Sequence, residues 1–115
     1  MADIGEIWMT DFGPARPGEP AFLRPALLLA PTDPDDWASN SFMTVPFTST
    51  ERDYVAAVEV RPTESNGLTT RSFALVDQMR TLPERACLRL VGRIDPQDWA
   101  MIRFIVAQYL GYAQV

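Results

Sequence analysis

The 115-residue chain has no histidine and no lysine, and its only cysteine is Cys87. Without histidine there is no imidazole general acid–base catalysis, no Ser–His or Cys–His dyad and no Cys/His zinc site. Without lysine there is no Schiff-base chemistry. A single cysteine excludes an intramolecular disulfide. No apolar stretch approaches the roughly 20 residues that cross a bilayer. No basic segment followed by an apolar run marks a secretion signal, so the expected location is the cytoplasm. What remains is ordinary for a soluble globular protein, 47% hydrophobic and 22% charged. The length fits one domain over residues 1–115.

The net charge of −5 argues against a nucleic-acid partner, but its distribution weakens that argument. Residues 1–60 carry three arginines and ten acids, whereas residues 61–115 carry seven arginines and five acids. A local basic groove is compatible with that asymmetry.

Ten prolines cut the chain into short segments. Glu6–Phe12 reads as a strand that runs into the proline- and glycine-rich stretch 13–20, a long loop. Ala26–Ala30 is a short apolar run bounded by prolines, which suits a strand buried on both faces. Pro31 to Asn40 is a second polar loop. Ser41–Phe47 and Tyr54–Val60 are further strands, and Glu64-Ser65-Asn66-Gly67 is a turn. Ser72–Arg80 alternates in part, with Phe73, Leu75, Asp77 and Met79 on one side. Leu88–Ile94 alternates more cleanly, placing Leu88, Leu90 and Ile94 on one face and a solvated Arg89 and Arg93 on the other.

The final segment predicts a helix. Asp95 is placed as N-cap, Pro96 as N1 and Asp98 as N3, with Gly111 positioned to stop it. Ile102, Ile105, Val106, Tyr109 and Leu110 form one stripe, with Trp99, Met101 and Phe104 outside it. A helix apolar on most sides needs cover on more than one face, from its own domain or from a second copy. Five to seven short strands and a closing helix predict a mainly β small barrel.

Several motifs resemble the MazF/PemK toxin family. They are Gly5-Glu6-Ile7-Trp8, Asp11-Phe12-Gly13-Pro14, Gly18-Glu19 and Arg24-Pro25-Ala26-Leu27-Leu28-Leu29, followed by Val45-Pro46-Phe47-Thr48-Ser49 and Ala74-Leu75-Val76-Asp77-Gln78-Met79-Arg80. The similarity runs from about Gly5 to Gly111. It implies an SH3-like barrel of the MazF/PemK/CcdB type and a toxin of a toxin–antitoxin pair. It also implies a homodimeric, metal- and cofactor-independent endoribonuclease that cuts single-stranded RNA, messenger RNA included, at short sequences. A cognate antitoxin would cover the RNA groove with an extended segment.

The resemblance assigns Arg24, Thr48 and Glu19 as the catalytic set. Arg16, Trp37, Ser49, Arg71, Asp77, Gln78 and Arg80 are the candidate RNA contacts. Some members instead use a histidine, an arginine and an aspartate. Here Gly18 stands at the histidine position and Leu75 at the arginine position, so only the arginine–threonine route remains. Two other readings share the barrel: a CcdB-like gyrase poison that is not an enzyme, and a catalytically degenerate relative that only binds.

RNA can be cut by its own 2′-hydroxyl attacking the adjacent phosphate. The protein must align the attack, stabilise the added charge and assist two proton transfers. An arginine supplies planar donors matched to phosphate oxygens, and a threonine hydroxyl donates to another. The base is left open among Glu19, Asp77, a water and a perturbed guanidinium. Glu19 has an alternative as a solvated loop acid, and Asp77 as a structural acid. The Asp33-Pro34-Asp35-Asp36 cluster matches no calcium loop and reads as a solvated acidic loop. Trp8 and Trp99 read as core or interface residues, which leaves Trp37 as the stacking platform for a base. Cys87 reads as an inert thiol.

Overall fold

The computed structural model describes residues 2–14, 22–33 and 40–111. Glu19, Arg16 and Trp37 therefore lie outside the described residues, as do Asp35 and Asp36. Among the described residues seven strands and one α-helix follow in order: β1 (Glu6–Asp11), β2 (Leu23–Pro31), β3 (Ser41–Thr48), β4 (Ala57–Val60), β5 (Ser72–Leu75), β6 (Arg80–Pro83), β7 (Cys87–Arg93) and α1 (Pro96–Tyr109). All pairings are antiparallel, and the sheet runs β4-β5-β3-β2-β1-β7.

The edge of β3 away from β2 is shared by two strands. Its start, Ser41–Thr44, pairs with β6, and its end, Phe47–Thr48, pairs with β5. The chain between β5 and β6 must therefore step along β3, and it does so in a 3-10 turn at Val76–Gln78. The alternation expected over Ser72–Arg80 breaks there. Asp77 is not on a strand face with Phe73 and Leu75 but exposed in that turn.

The sheet curls until the segment after β4 meets β7. The Arg93 N–H donates to the Ser65 carbonyl at 2.9 Å. Gly92 fits against the same turn, where an added Cβ would come within 2.4 Å of the Asn66 carbonyl. Asn66 is fully buried and organises the turn. Its side-chain oxygen accepts from the N–H groups of Thr63 and Leu68, both at 3.0 Å, and its amide donates to the Arg61 carbonyl at 2.9 Å. Gly67 follows with φ of +69° and its Cα against the Val91 carbonyl, a position open only to glycine.

Ile7, Leu27, Val45, Phe47, Val60, Ala74, Val76 and Ile102 form the centre of the core. The consecutive burial of Ala26, Leu27 and Leu28 bears out the reading of β2 as covered on both faces. The strand expected at Tyr54–Val60 is shorter, because Tyr54–Ala56 form a turn before β4.

Helix α1 lies against β4 and the 76–78 turn. It starts at Pro96 and ends before Gly111, whose φ is +83°. Asp95 holds the cap position but its side chain does not cap the helix; it accepts instead from the Thr63 hydroxyl and the Asn66 amide. Trp99 packs on the core with Ile102, Ile105 and Val106, whereas Tyr109 and Leu110 are exposed, so the buried stripe is rotated from the expected one. On β7, Leu88 and Leu90 are exposed along with Arg89 and Arg93. Register shifts in the β1–β7 ladder, between Ile7 and Trp8 and between Met9 and Thr10, break the simple alternation. No helix among the described residues is long and apolar enough to cross a membrane.

Candidate active site

Strand β2 enters the sheet at Leu23 and carries Arg24 on its first turn of chain, while β3 ends at Thr48. In the β2–β3 ladder Ala26 faces Pro46 and Leu27 faces Val45. Continuing that register by two residues brings Arg24 abreast of Thr48. Both line a cavity of about 420 Å³, together with Phe22, Ser49, Thr69 and Arg89. Leu68 and Phe47 contribute apolar wall.

Arg24 is half-buried, and its guanidinium lies 4.2 Å from the centroid of the Phe22 ring. Burial lowers its pKa below the ordinary arginine value, and the charge of Arg52 lowers it further. Among the described residues no carboxylate lies within ion-pair distance of it. The Thr48 hydroxyl oxygen accepts from the Thr50 N–H at 3.2 Å, which pins the side chain at the strand end and leaves its proton for a ligand.

Phe22 and Arg24 also form one wall of a second, smaller cleft of about 120 Å³, whose other side carries Phe12, Gln78 and Arg80. Arg80 is held there by β6, since the buried Thr44 hydroxyl donates to its carbonyl at 2.9 Å, and its guanidinium sits 5.6 Å from the Phe12 ring. Phe22 and Arg24 are thus shared by the two spaces.

The structure sorts the expected site residues accordingly. Arg24, Thr48 and Ser49 meet in the cavity, and Gln78 and Arg80 in the adjoining cleft. Arg71 and Asp77 line neither. Arg71 is tied to Glu59 at 2.7 Å and to Glu51 at 2.9 Å, which raises its pKa and holds the Glu59 carboxyl below the usual range. Asp77 accepts from the Tyr54 hydroxyl at 3.2 Å.

Two residues were not singled out from the sequence. Arg89 is exposed, as its reading on a solvated strand face expects, and it also lines the cavity. Phe22 supplies an exposed aromatic ring at the site, the feature expected of Trp37. Elsewhere, burial and then Glu84 push the Cys87 thiol up, in keeping with an unreactive cysteine. Among the described residues no three metal-ligating side chains come together.

Residues 3–110 match the sequence profile of the PemK-like, MazF-like toxins of type II toxin–antitoxin systems. The chain belongs to that family. A relative in Mycolicibacterium smegmatis, named "Probable endoribonuclease MazF", is 29% identical over 110 residues, which cover 95% of this chain and 96% of that one. Among solved structures, an endoribonuclease in complex with its cognate antitoxin from Mycobacterial species matches with a TM-score of 0.78 at 20% identity, covering 100% of both chains. The MazE–MazF structure from Deinococcus radiodurans matches with a TM-score of 0.78 at 24% identity over 97% of each chain. These likenesses place the curled sheet and closing helix in the MazF-type small barrel.

Proposed function

We propose that this MazF/PemK-family protein is a toxin endoribonuclease that cuts single-stranded RNA without a metal ion, by attack of the RNA 2′-hydroxyl on the adjacent phosphate. The observation that carries the reading is the meeting of Arg24 and Thr48 at the mouth of one cavity. With the phosphate seated there, Arg24 presents a fixed positive charge and parallel donors to its oxygens. Thr48 donates its hydroxyl to a third oxygen. As the 2′-oxygen closes on phosphorus, the added negative charge falls where these donors already point. The products are a 2′,3′-cyclic phosphate and a 5′-hydroxyl.

Arg24 also serves as the acid for the departing 5′-oxygen. Burial and the charge of Arg52 both weaken its hold on the proton. Asp77 lines neither space and accepts from Tyr54, which favours the other candidates for the base. The base is Glu19 or a water.

The active unit is a homodimer in the cytoplasm. Met101 and Phe104 on α1 and Leu88 and Leu90 on β7 each leave half or more of their surface open in the single chain, more apolar exposure than a lone small domain needs. The cognate antitoxin neutralises the protein with an extended acidic segment that competes with RNA for Arg24, Arg80 and Arg89.

The test is incubation of the purified protein with a long mixed-sequence RNA in EDTA, followed by mapping of the new ends. Cleavage leaving 5′-hydroxyl ends, lost in Arg24→Ala and Thr48→Ala, is expected. Intact RNA together with inhibited DNA supercoiling would replace this reading with a gyrase poison.

A further inference from the structure

We infer that the cavity beside Arg24 is a subsite for one unpaired RNA base next to the scissile phosphate, with Phe22 as its stacking platform and Arg89 as the cation for the neighbouring phosphate. The inference rests on the ribonuclease reading for its ligand and adds to it two residues outside the catalytic pair.

Phe22 is 47% exposed at the cavity wall, an open position for a phenylalanine in a small domain with a closed core. The Arg24 guanidinium carbon lies over the ring at 4.2 Å from its centroid, and the ring keeps nearly half of its surface open. A base stacks on such a ring whatever its identity, because every base has a π-surface. The cavity, at about 420 Å³, lies in the range of small-ligand pockets and admits a base with its ribose.

The rest of the lining fits the same ligand. The same cavity is lined by Ser49, Thr69 and Thr70, all exposed, whose hydroxyls can donate to or accept from a base edge. Leu68 supplies a buried apolar floor. Arg89, on β7, also lines the cavity and pairs with Met9 in the ladder with β1. Among the described residues no carboxylate pairs with Arg89, in contrast to Arg71, which two carboxylates hold. An arginine with no acid partner among the described residues, in a hydroxyl-lined cavity that already holds the Arg24 charge, suits a phosphate one step along the strand from the one on Arg24.

The test uses single-stranded RNA decamers of randomised flanks with one central fluorescent base, 2-aminopurine in one set and pyrrolocytosine in another. The riboses on both sides of the probe carry 2′-hydrogen, so that binding is read without cutting. Wild-type protein is expected to quench at least one probe at saturation. Phe22→Ala should weaken the quenched complex by about 5- to 150-fold, and Phe22→Trp should restore it. Arg89→Gln should weaken binding of all sequences alike and reduce the salt slope by about one.

Saturable binding with neither probe quenched would overturn the inference, as would undiminished quenching in Phe22→Ala. Absence of any RNA binding would overturn it too. Quenching that depends on Phe22, in a protein that cuts no ordinary RNA, would uphold the subsite while removing the ribonuclease reading.

Discussion

Two neighbouring regions of the barrel treat their polar groups in opposite ways. In the 64–67 turn the Asn66 side chain spends its donors and acceptors inside the protein: on Thr63, Leu68, Arg61 and Asp95. At the Arg24–Thr48 corner, among the described residues, a guanidinium packs on an aromatic ring without a carboxylate partner, a threonine accepts but does not donate, and hydroxyls line an open cavity. The first arrangement closes the sheet against β7. The second leaves charge and donors oriented for something the protein does not itself contain. Buried polar groups that are satisfied stabilise a fold, whereas preorganised groups left for a ligand are the raw material of catalysis.

That contrast can be broken at either end. The largest effect is expected at the corner. Arg24→Ala should lower RNA cleavage by about 10²–10³-fold, the loss typical of one preorganised charge-stabilising donor, with a melting temperature close to wild type. At the turn the effect should invert: Asn66→Ala strands the buried N–H of Leu68 and the part-buried N–H of Thr63 and should lower unfolding free energy by about 1–3 kcal/mol in denaturant titration, while the protein that remains folded still cuts RNA.

Smaller changes sharpen the comparison among arginines. Arg71 is exposed and already paired with Glu51 and Glu59, so Arg71→Ala should alter cleavage by less than about fivefold, far below Arg24→Ala. The smallest effect concerns Asp98 in the first turn of α1. Burial and the nearby Asp95 raise its pKa, so its charged form is disfavoured in the folded state. Its contribution is most favourable when the carboxyl is protonated and is lost as pH rises through the raised pKa. Asp98→Asn should therefore be more stable than wild type at neutral pH, and the difference should vanish on acidification below the usual aspartate range, as followed by thermal melts.

Much of this arrangement was legible in the sequence where local chemistry decides it. Pro96 and Gly111 bound the helix because a ring without an N–H and a positive φ have few other uses. Arg24 and Thr48 were found through the order and spacing of short motifs, since nothing local distinguishes a functional arginine before proline. The 3-10 turn that carries Asp77 was hidden because it exists to let β5 and β6 share the edge of β3, a constraint set by a strand thirty residues away. Arg89 was read as a solvated residue because period-two alternation sets it opposite Leu88 and Leu90, and nothing local to β7 shows that this exposed side chain borders the cavity. Phe22 lies just before β2, beside a proline-rich loop, where no periodic pattern announces which side chains will face the site.

The central claim is that the corner aligns the RNA's own 2′-hydroxyl rather than a water or a protein nucleophile. The direct measurement is cleavage of two otherwise identical single-stranded RNAs at the mapped site, one of which carries 2′-hydrogen on the scissile nucleotide. The account predicts that the all-ribose strand is cut to a 2′,3′-cyclic phosphate and the substituted strand resists. Efficient cutting of the substituted strand would contradict it.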